Sequence, residues 1–246
     1  MTGNPAFPDG LTYVDLFCGA GVCQVDIGSN QLRRFPGSSL IAASTPKQFS
    51  RLLLVDSDVV RVNASVERIR RTGFSGAVRS WVGDANVLVN EVRAAVPARS
   101  LSVVFIDPYS LDIQFETIRR LATDRAMDLM ILFSDAIDVA RNVEEYYYPQ
   151  KSDKLDSFLG KRSRWRERWD KLPRRTGPDI RQMFADVYVE QLRSLGYLHS
   201  KSWPLEGPHG PVFRLVYASK HELGLKYCEI ANNEDFEGNR GLFGAM

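Results

Sequence analysis

Short apolar runs that end at a small or acidic residue recur along the first half of the chain. Each run is rich in apolar, often β-branched, residues and predicts a β-strand. The runs are 12–17, 52–55, 78–82, 101–106 and 129–133. Amphipathic segments lie between them and predict helices over 38–45, 59–72, 85–96, 115–123 and 136–148. Strands that alternate with helices in this way are typical of a mostly parallel sheet with helices on both faces.

The pattern changes after Asp179. An amphipathic helix is predicted over 180–195, and two strands, 197–203 and 212–218, follow it on either side of a Pro/Gly-rich turn. Such a short connection favours an antiparallel hairpin. Five parallel strands followed by a helix and a hairpin is the element order of class I methyltransferases. The predicted fold class is therefore a Rossmann-like α/β sandwich whose seven-stranded, mostly parallel sheet ends in a C-terminal antiparallel hairpin.

A basic segment interrupts this scheme. The length of 246 residues and the hydrophobic content of 44% suit one domain over 1–246. The stretch 146–178 within it is too long for an ordinary loop and predicts a basic helical insertion. Within it, 151–175 holds ten Lys or Arg and four Asp or Glu, a local charge of +6. This part could bind the phosphate backbone of a nucleic acid, with Trp165 and Trp169 as stacking platforms. The alternative is a solvated helical face whose tryptophans pack on the domain.

Composition bounds the remaining possibilities. Three cysteines without a paired motif fit neither a disulfide framework nor a zinc site, so a reducing cytoplasm is expected. His199, His209 and His221 lack metal-ligand spacing, and no metal is expected. No apolar run approaches the roughly 20 residues of a membrane helix, and residues 1–10 lack the features of a secretory signal. We therefore expect a cytoplasmic protein that does not bind membranes.

The stretch from Asp15 to Gly21 predicts a cofactor site. A strand, an acidic residue and a G-x-G turn follow one another there, at the edge of an open α/β sheet where ligands bind. Gly19 and Gly21 lack Cβ atoms, which allows the backbone to approach a cofactor closely. We expect Asp15, Phe17, Gly19 and Gly21 to form part of the site. The alternative is a tight turn that only packs a strand on a helix.

Two further acids end predicted strands. Asp56 lies where a carboxylate accepts hydrogen bonds from ribose hydroxyls, and Asp58 is an alternative two residues later. Asp84 lies where a carboxylate could accept from an adenine amino group, or could cap the helix that follows. Asp56 and Asp84 complete the predicted cofactor-binding set.

The sequence Asp107-Pro108-Tyr109 predicts the catalytic end of the site. Asp107 ends the fourth strand, Pro108 stiffens the following turn, and Tyr109 offers an aromatic face for stacking on a planar base. The motif resembles the Asp-Pro-Pro-Tyr box of amino-methyltransferases, in which the Asp and a backbone carbonyl hold the target amine. Only one proline is present here, so a plain strand-ending Asp-Pro turn remains the alternative.

Several motifs, taken in order, resemble those of the bacterial three-Cys-motif partner proteins. The chain contains YVDLFCGAG at 13–21, GSSLIA at 37–42, FIDPY at 105–109, DLMILF at 128–133, LDSFLG at 155–160 and ASKH at 218–221. Ser39 stands where proline is usual in that family, and Cys18 and Ala20 are further departures. The resemblance implies a methyltransferase-like fold and a separate radical-SAM-like partner protein with a three-cysteine motif. The three cysteines of this chain are unrelated to that motif.

Three functional hypotheses follow. The first is an S-adenosylmethionine (SAM)-dependent methyltransferase that acts on nucleic acid, on an exocyclic amine. The second is a non-catalytic partner subunit that contacts its companion through the insertion and the tail 232–246. The third is a nuclease in which Asp15, Asp56 and Asp107 hold Mg²⁺.

Overall fold

The computed structural model describes residues 5–26, 28, 31–207 and 210–232. His209 and the predicted partner-binding residues 233–246 lie outside the described residues. The strands are β1 Leu11–Asp15, β2 Val22–Asp26, β3 Leu32–Pro36, β4 Arg51–Asp56, β5 Ala77–Val82, β6 Leu101–Ile106, β7 Met127–Phe133, β8 His199–Gly207 and β9 Gly210–Ser219. The α-helices are α1 Ser38–Ala43, α2 Val59–Arg71, α3 Ala85–Ala95, α4 Phe115–Ala122, α5 Ala140–Asn142, α6 Lys154–Leu159, α7 Trp165–Asp170, α8 Gly177–Ser194 and α9 Glu222–Asn232.

Seven of these strands follow one another in the order β5-β4-β1-β6-β7-β9-β8, and β2 pairs only with β3. The pairs of β1 with β4, β1 with β6 and β4 with β5 are parallel, whereas β7–β9 and β8–β9 are antiparallel. The predicted fold class, a Rossmann-like sheet with a C-terminal antiparallel hairpin, is confirmed.

The chain divides into two compact units. The first contains the residues up to 127 together with 153–160, and the second contains 128–152 and the residues from 161 on. A single domain over 1–246 stays a prediction, and the segment 146–178 contributes residues to both units.

In the first unit, apolar strand residues form the core. Leu52 and Leu54 of β4 are completely buried, and Val62 and Ile69 of α2 pack in the same cluster. The helix α2 begins where the Asp58 carboxylate accepts hydrogen bonds from the amides of two residues of its first turn. It ends just before Gly73, whose φ of +77° suits a helix terminus.

The second unit is built on an alternating strand and a long helix. Leu129, Ile131 and Phe133 of β7 are buried, and the residues between them are half-buried. The helix α8 begins at the Thr176 cap with proline in its first turn, and it buries Phe184 and Tyr188 completely. Two π-helical turns, Asp135–Val139 and Val143–Tyr147, flank α5. Among the described residues, no helix is long and apolar enough to cross a membrane.

Candidate functional site

Four parallel strands of the first unit end at the same edge of the sheet, and backbone hydrogen bonds join the loops that leave them. The Cys18 amide donates to the Val55 carbonyl at 2.9 Å, and the Leu16 amide donates to the Phe105 carbonyl at 3.2 Å. The Gly83 amide donates to the Asp56 carbonyl at 2.9 Å. The loops that carry the predicted site residues therefore meet at the carboxyl edge, where open α/β sheets bind ligands.

Gly19 and Gly21, the two glycines of the loop after β1, have different surroundings. Both have positive φ, +54° at Gly19 and +74° at Gly21. A Cβ at Gly19 would meet no atom within 4 Å, whereas one at Gly21 would lie 3.3 Å from the Ser39 and Ser65 hydroxyls. Gly21 thus allows close packing on α1 and α2, and Gly19 borders open space.

Polar groups from β4 and α2 hold this loop in place. The Asp56 carboxylate accepts from the Gly19 amide at 2.9 Å and from the Asp58 amide at 3.0 Å. The Arg68 guanidinium donates to the Ala20 carbonyl. Asp56 is nearly buried, at 7% exposure, yet an ionised carboxylate has about four acceptor sites and these two bonds use half of them.

Asp15 is completely buried beneath the loop. Its carboxylate accepts from the Ser38 hydroxyl at 2.6 Å, from the Tyr13 hydroxyl at 3.2 Å and from the Phe17 amide at 3.2 Å. Burial raises the pKa of Asp15 to about 6, and the nearby Asp107 carboxylate raises it slightly further. The three hydrogen-bond donors lower the pKa, but they do not compensate for burial. This geometry gives Asp15 a positioning role toward the loop, and its direct contact with a cofactor stays a prediction.

Phe17 lies at the first turn of the loop, with a half-buried side chain and its amide on Asp15. Its contact with a cofactor also stays a prediction. The adjacent Cys18 thiol is buried, and burial together with the nearby carboxylates raises its pKa far above the ordinary range of a thiol. The thiol is therefore not a nucleophile at neutral pH.

Asp84 is exposed and caps α3 by accepting from the Asn86 amide at 2.7 Å. Asn86, which the sequence interpretation missed, ties α3 to the loop that follows β6. Its side chain donates to the Asp112 carbonyl at 2.9 Å and accepts from the Gln114 amide at 2.9 Å and from the Thr117 hydroxyl at 2.7 Å.

The Asp107-Pro108-Tyr109 motif leaves the end of β6. Pro108 is buried, whereas Asp107 is exposed and Tyr109 is 86% exposed. Protein atoms around Asp107 nevertheless raise the pKa of its carboxyl group by desolvation.

The next turn is held by a lysine that the sequence interpretation also missed. Ser110 has a φ of +60°, and its hydroxyl accepts from the Lys154 ammonium at 3.3 Å. The same ammonium pairs with the Asp112 carboxylate at 2.7 Å. Lys154 opens α6, so part of the predicted insertion supports the loop of the catalytic motif. The charge of Lys154 is visible in the sequence, but nothing in the sequence places it near the acids at the strand ends.

The tryptophans of the basic segment are not stacking platforms. Trp165 and Trp169 are each only 1% exposed and pack against Phe184 of α8, so that interpretation was wrong. The physical reason is the helix α7, in which residues four positions apart share one face, so that both rings turn inward. Arg168 pairs with Glu190 and Arg175 with Glu144, which neutralises part of the predicted basic surface.

The nuclease alternative requires acidic side chains that converge on a metal ion. Among the residues described, no group of three or more His, Cys, Asp or Glu side chains could hold a metal ion. Asp15 and Asp56 instead accept backbone amides of the loop.

The residues of this edge fit SAM. The fold provides a backbone turn beside open space at Gly19, and carboxylates with remaining acceptor capacity at Asp56 and Asp84. The open turn allows the backbone to approach a cofactor closely. The remaining acceptor sites allow the carboxylates to bind hydroxyl or amino groups of that cofactor.

Comparison with solved structures supports the assignment of the fold. The chain is similar to the O-methyltransferase TomG from Streptomyces achromogenes, solved with SAM, at a TM-score of 0.50 and 14% identity over 86% of this chain and 74% of that one. An O-methyltransferase from Bacillus cereus, solved with SAH, has a TM-score of 0.49 and 10% identity over 86% and 74%. No protein-family model and no curated protein matches the sequence. The fold is that of the class I methyltransferases.

Proposed function

We propose that the protein is a SAM-dependent methyltransferase. The observation that carries the proposal is the open space beside Gly19. The loop that borders this space is held by the hydrogen bond from the Gly19 amide to the Asp56 carboxylate, which is 2.9 Å long. The similarity to methyltransferases solved with SAM or SAH supports the same cofactor.

The cofactor would lie along the carboxyl edge of β1, β4 and β5. The loop of Gly19 would contact it through the backbone, and Asp56 would accept from its ribose hydroxyls. Asp84 would accept from the adenine amino group while it caps α3 through one oxygen. When bound, SAM supplies a methyl group that its sulfonium already makes electrophilic. The protein has to orient the acceptor, and orientation alone contributes several kcal/mol to such a transfer, about 7–11 in favourable cases.

An exocyclic amine of a nucleic-acid base is the acceptor that we propose. The Asp107 carboxylate would accept a hydrogen bond from the amine, and its raised pKa means that this needs a pH above the ordinary Asp range. Tyr109, with 86% of its surface exposed next to that carboxylate, would stack on the base. A base inside a duplex would have to be flipped out or presented in a single strand. The basic segment 151–175 would contact the nucleic-acid backbone.

Methyl transfer from tritiated SAM tests both parts of this proposal. We expect label in single-stranded DNA or RNA with the wild type, and a rate lower by about a hundredfold with Asp107→Ala, which removes the acceptor, at unchanged SAM affinity. Absence of SAM binding by calorimetry in a folded sample would overturn the methyltransferase proposal. Label in small hydroxyl compounds but not in nucleic acids would overturn only the choice of substrate.

A second candidate function, a partner subunit without activity, is favoured by one surface. Val25 and Phe35 are both exposed on the same face of the hairpin of β2 and β3, as expected of a surface that contacts a partner. This agrees with the resemblance to the three-Cys-motif partner proteins. Co-purification with a three-cysteine companion, combined with SAM binding and no methyl transfer to any acceptor, would favour this function.

A further inference from the structure

The strand β5 forms an open edge of the sheet. Within the described ranges 5–26, 28, 31–207 and 210–232, β4 is the only strand that pairs with it. Every residue of β5 except Trp81 is exposed, including Val78 at 36% and Val82 at 47%. A six-residue edge with exposed apolar side chains and no proline is a template for pairing with another strand.

The backbone groups that point outward can be identified from the hydrogen bonds at both ends of β5. The Ala77 amide donates to the Ser50 carbonyl at 3.0 Å, and the Gly83 amide donates to the Asp56 carbonyl at 2.9 Å. Successive residues of a strand direct their backbone groups to opposite sides. Odd-numbered residues therefore face β4, and the amides and carbonyls of Val78, Ser80 and Val82 face outward.

We propose that β5 pairs with β5 of a second copy of this chain, antiparallel and about a two-fold axis at Ser80. In this register Ser80 exchanges both of its backbone hydrogen bonds with the partner's Ser80. Val78 lies opposite the partner's Val82 in a second hydrogen-bonded pair, which covers the exposed valines of both copies. A two-fold contact of this kind uses the same patch on each subunit.

The other side chains of β5 favour the same register. Arg79 and Trp81 already form a cation–π contact within one strand, with 4.7 Å between the guanidinium carbon and the ring centre. In the proposed pairing Arg79 lies opposite the partner's Trp81, in the non-hydrogen-bonded position where side chains approach most closely. The contact would thus form in both directions across the interface.

Neighbouring registers are worse for identifiable reasons. Only the even-numbered residues of β5 have outward-facing backbone groups, so they must pair with even-numbered residues of the partner. The nearest alternative registers therefore place the two-fold axis at residue 79 or at residue 81. At residue 79, Arg79 would lie directly opposite the partner's Arg79, and like charges in that position are destabilising. At residue 81, Val78 would lie beyond the end of the partner's strand and remain exposed.

The proposal is independent of the proposed methyltransferase activity. Because the two copies of β5 run in opposite directions, the carboxyl edges of the two sheets face opposite ways. Each copy therefore keeps its own site at the loops of β1, β4 and β5, and SAM affinity should not depend on dimerisation.

Sedimentation equilibrium over about 1–200 µM protein tests the pairing, since an edge contact of this size binds weakly. We expect a monomer–dimer equilibrium for the wild type. Ser80→Lys places two lysines against each other at the axis and should raise the dimer dissociation constant about tenfold or more. Asn90→Lys adds the same charge at an exposed position of α3 and should leave it within about twofold. A wild type that stays monomeric, or a Ser80→Lys dimer as tight as the control, would overturn the proposal.

Crosslinking tests the register itself. In a background with Cys23→Ser and Cys228→Ser, Ser80→Cys should give a covalent dimer with a short thiol-specific crosslinker, a bis-methanethiosulfonate with a two-carbon spacer. Cα atoms of a hydrogen-bonded antiparallel pair are about 5.5 Å apart, within reach of this reagent, whereas their Cβ atoms lie further apart than a direct disulfide prefers. Val78→Cys alone should give none, because its counterpart is four residues further along the partner strand. Equal crosslinking of Ser80→Cys and Val78→Cys would contradict this register. This outcome does not depend on whether the protein binds SAM.

Discussion

The Asp56 carboxylate accepts a hydrogen bond from the backbone amide of Gly19 at 2.9 Å. The two residues are 37 positions apart in sequence, and the bond joins the end of β4 to the loop that follows β1. The same carboxylate accepts from the Asp58 amide, which begins the turn into α2. Asp56 therefore has a structural role of its own, in addition to its proposed role toward ribose.

This double task predicts different results for two neighbouring acids. Asp56→Ala should weaken SAM binding about a hundredfold or more and cost about 1–3 kcal/mol of stability, since it leaves the Gly19 amide without its acceptor. Asp58→Ala removes only the cap of α2, so it should cost about 1 kcal/mol and leave SAM affinity near that of the wild type. Titration calorimetry and urea unfolding measure the two quantities. A larger loss of SAM affinity in Asp58→Ala would reverse the assignment of the two acids.

Gly19 provides a test of the open space beside the loop. Gly19→Ala should cost about 1–2 kcal/mol, because an L-residue is strained at φ of +54°, but its methyl group meets no protein atom within 4 Å. SAM affinity should nevertheless fall strongly, since the methyl group occupies the space that the cofactor needs. Gly73→Ala is the matched control, because Gly73 also has positive φ and no atom within 4 Å of a Cβ.

In the control, the stability loss should be similar and calorimetry should find unchanged SAM affinity. If both variants bind SAM as the wild type does, then the cofactor does not lie against Gly19.

Much of this arrangement follows from local sequence signals. The strand β4 was predictable because four consecutive apolar residues precede Asp56, and the start of α3 followed from Asp84 as a possible cap. These signals act over a few residues, so one sequence is enough to recognise them.

The missed features depend on contacts between distant parts of the chain. Ser38 is an ordinary first residue of α1 in the sequence, yet its hydroxyl lies 2.6 Å from the Asp15 carboxylate. The sequence does not predict the hairpin of β2 and β3, because its exposed strands lack the apolar alternation that marks a buried face. Trp169 was assigned to a binding surface because its basic neighbours dominate the local composition, but its ring is buried.

Asp15 predicts how stability depends on pH. Its pKa of about 6 in the folded chain lies above the ordinary value of 3.8. Between about pH 4 and pH 6 the folded state keeps a proton that the unfolded state releases, so the free energy of unfolding falls as pH rises. The contribution lost across this window is on the order of 3 kcal/mol, and it should be fully present below pH 4.

Asp15→Asn keeps the shape of the side chain and removes the titration. The difference in unfolding free energy between the wild type and this variant, from urea unfolding at several pH values, should therefore change between pH 4 and 6 and be constant outside that window. A constant difference from pH 3 to pH 8 would show that the buried carboxyl group titrates at its ordinary pKa.

The ion pair of Asp135 and Arg214 predicts the stability of the second unit. The two side chains are 2.8 Å apart and almost completely buried, and desolvation still raises the pKa of Asp135 despite the guanidinium. Arg214→Met leaves this carboxylate buried without its partner, so it should cost about 3–5 kcal/mol. The double variant Asp135→Leu/Arg214→Met should recover much of that loss, because no charge remains to be desolvated. Arg168→Met, which removes an exposed pair, is the control and should cost less than about 1 kcal/mol in urea unfolding. An equal cost for Arg214→Met and Arg168→Met would mean that water reaches Asp135 in solution and that the pair does not stabilise the fold.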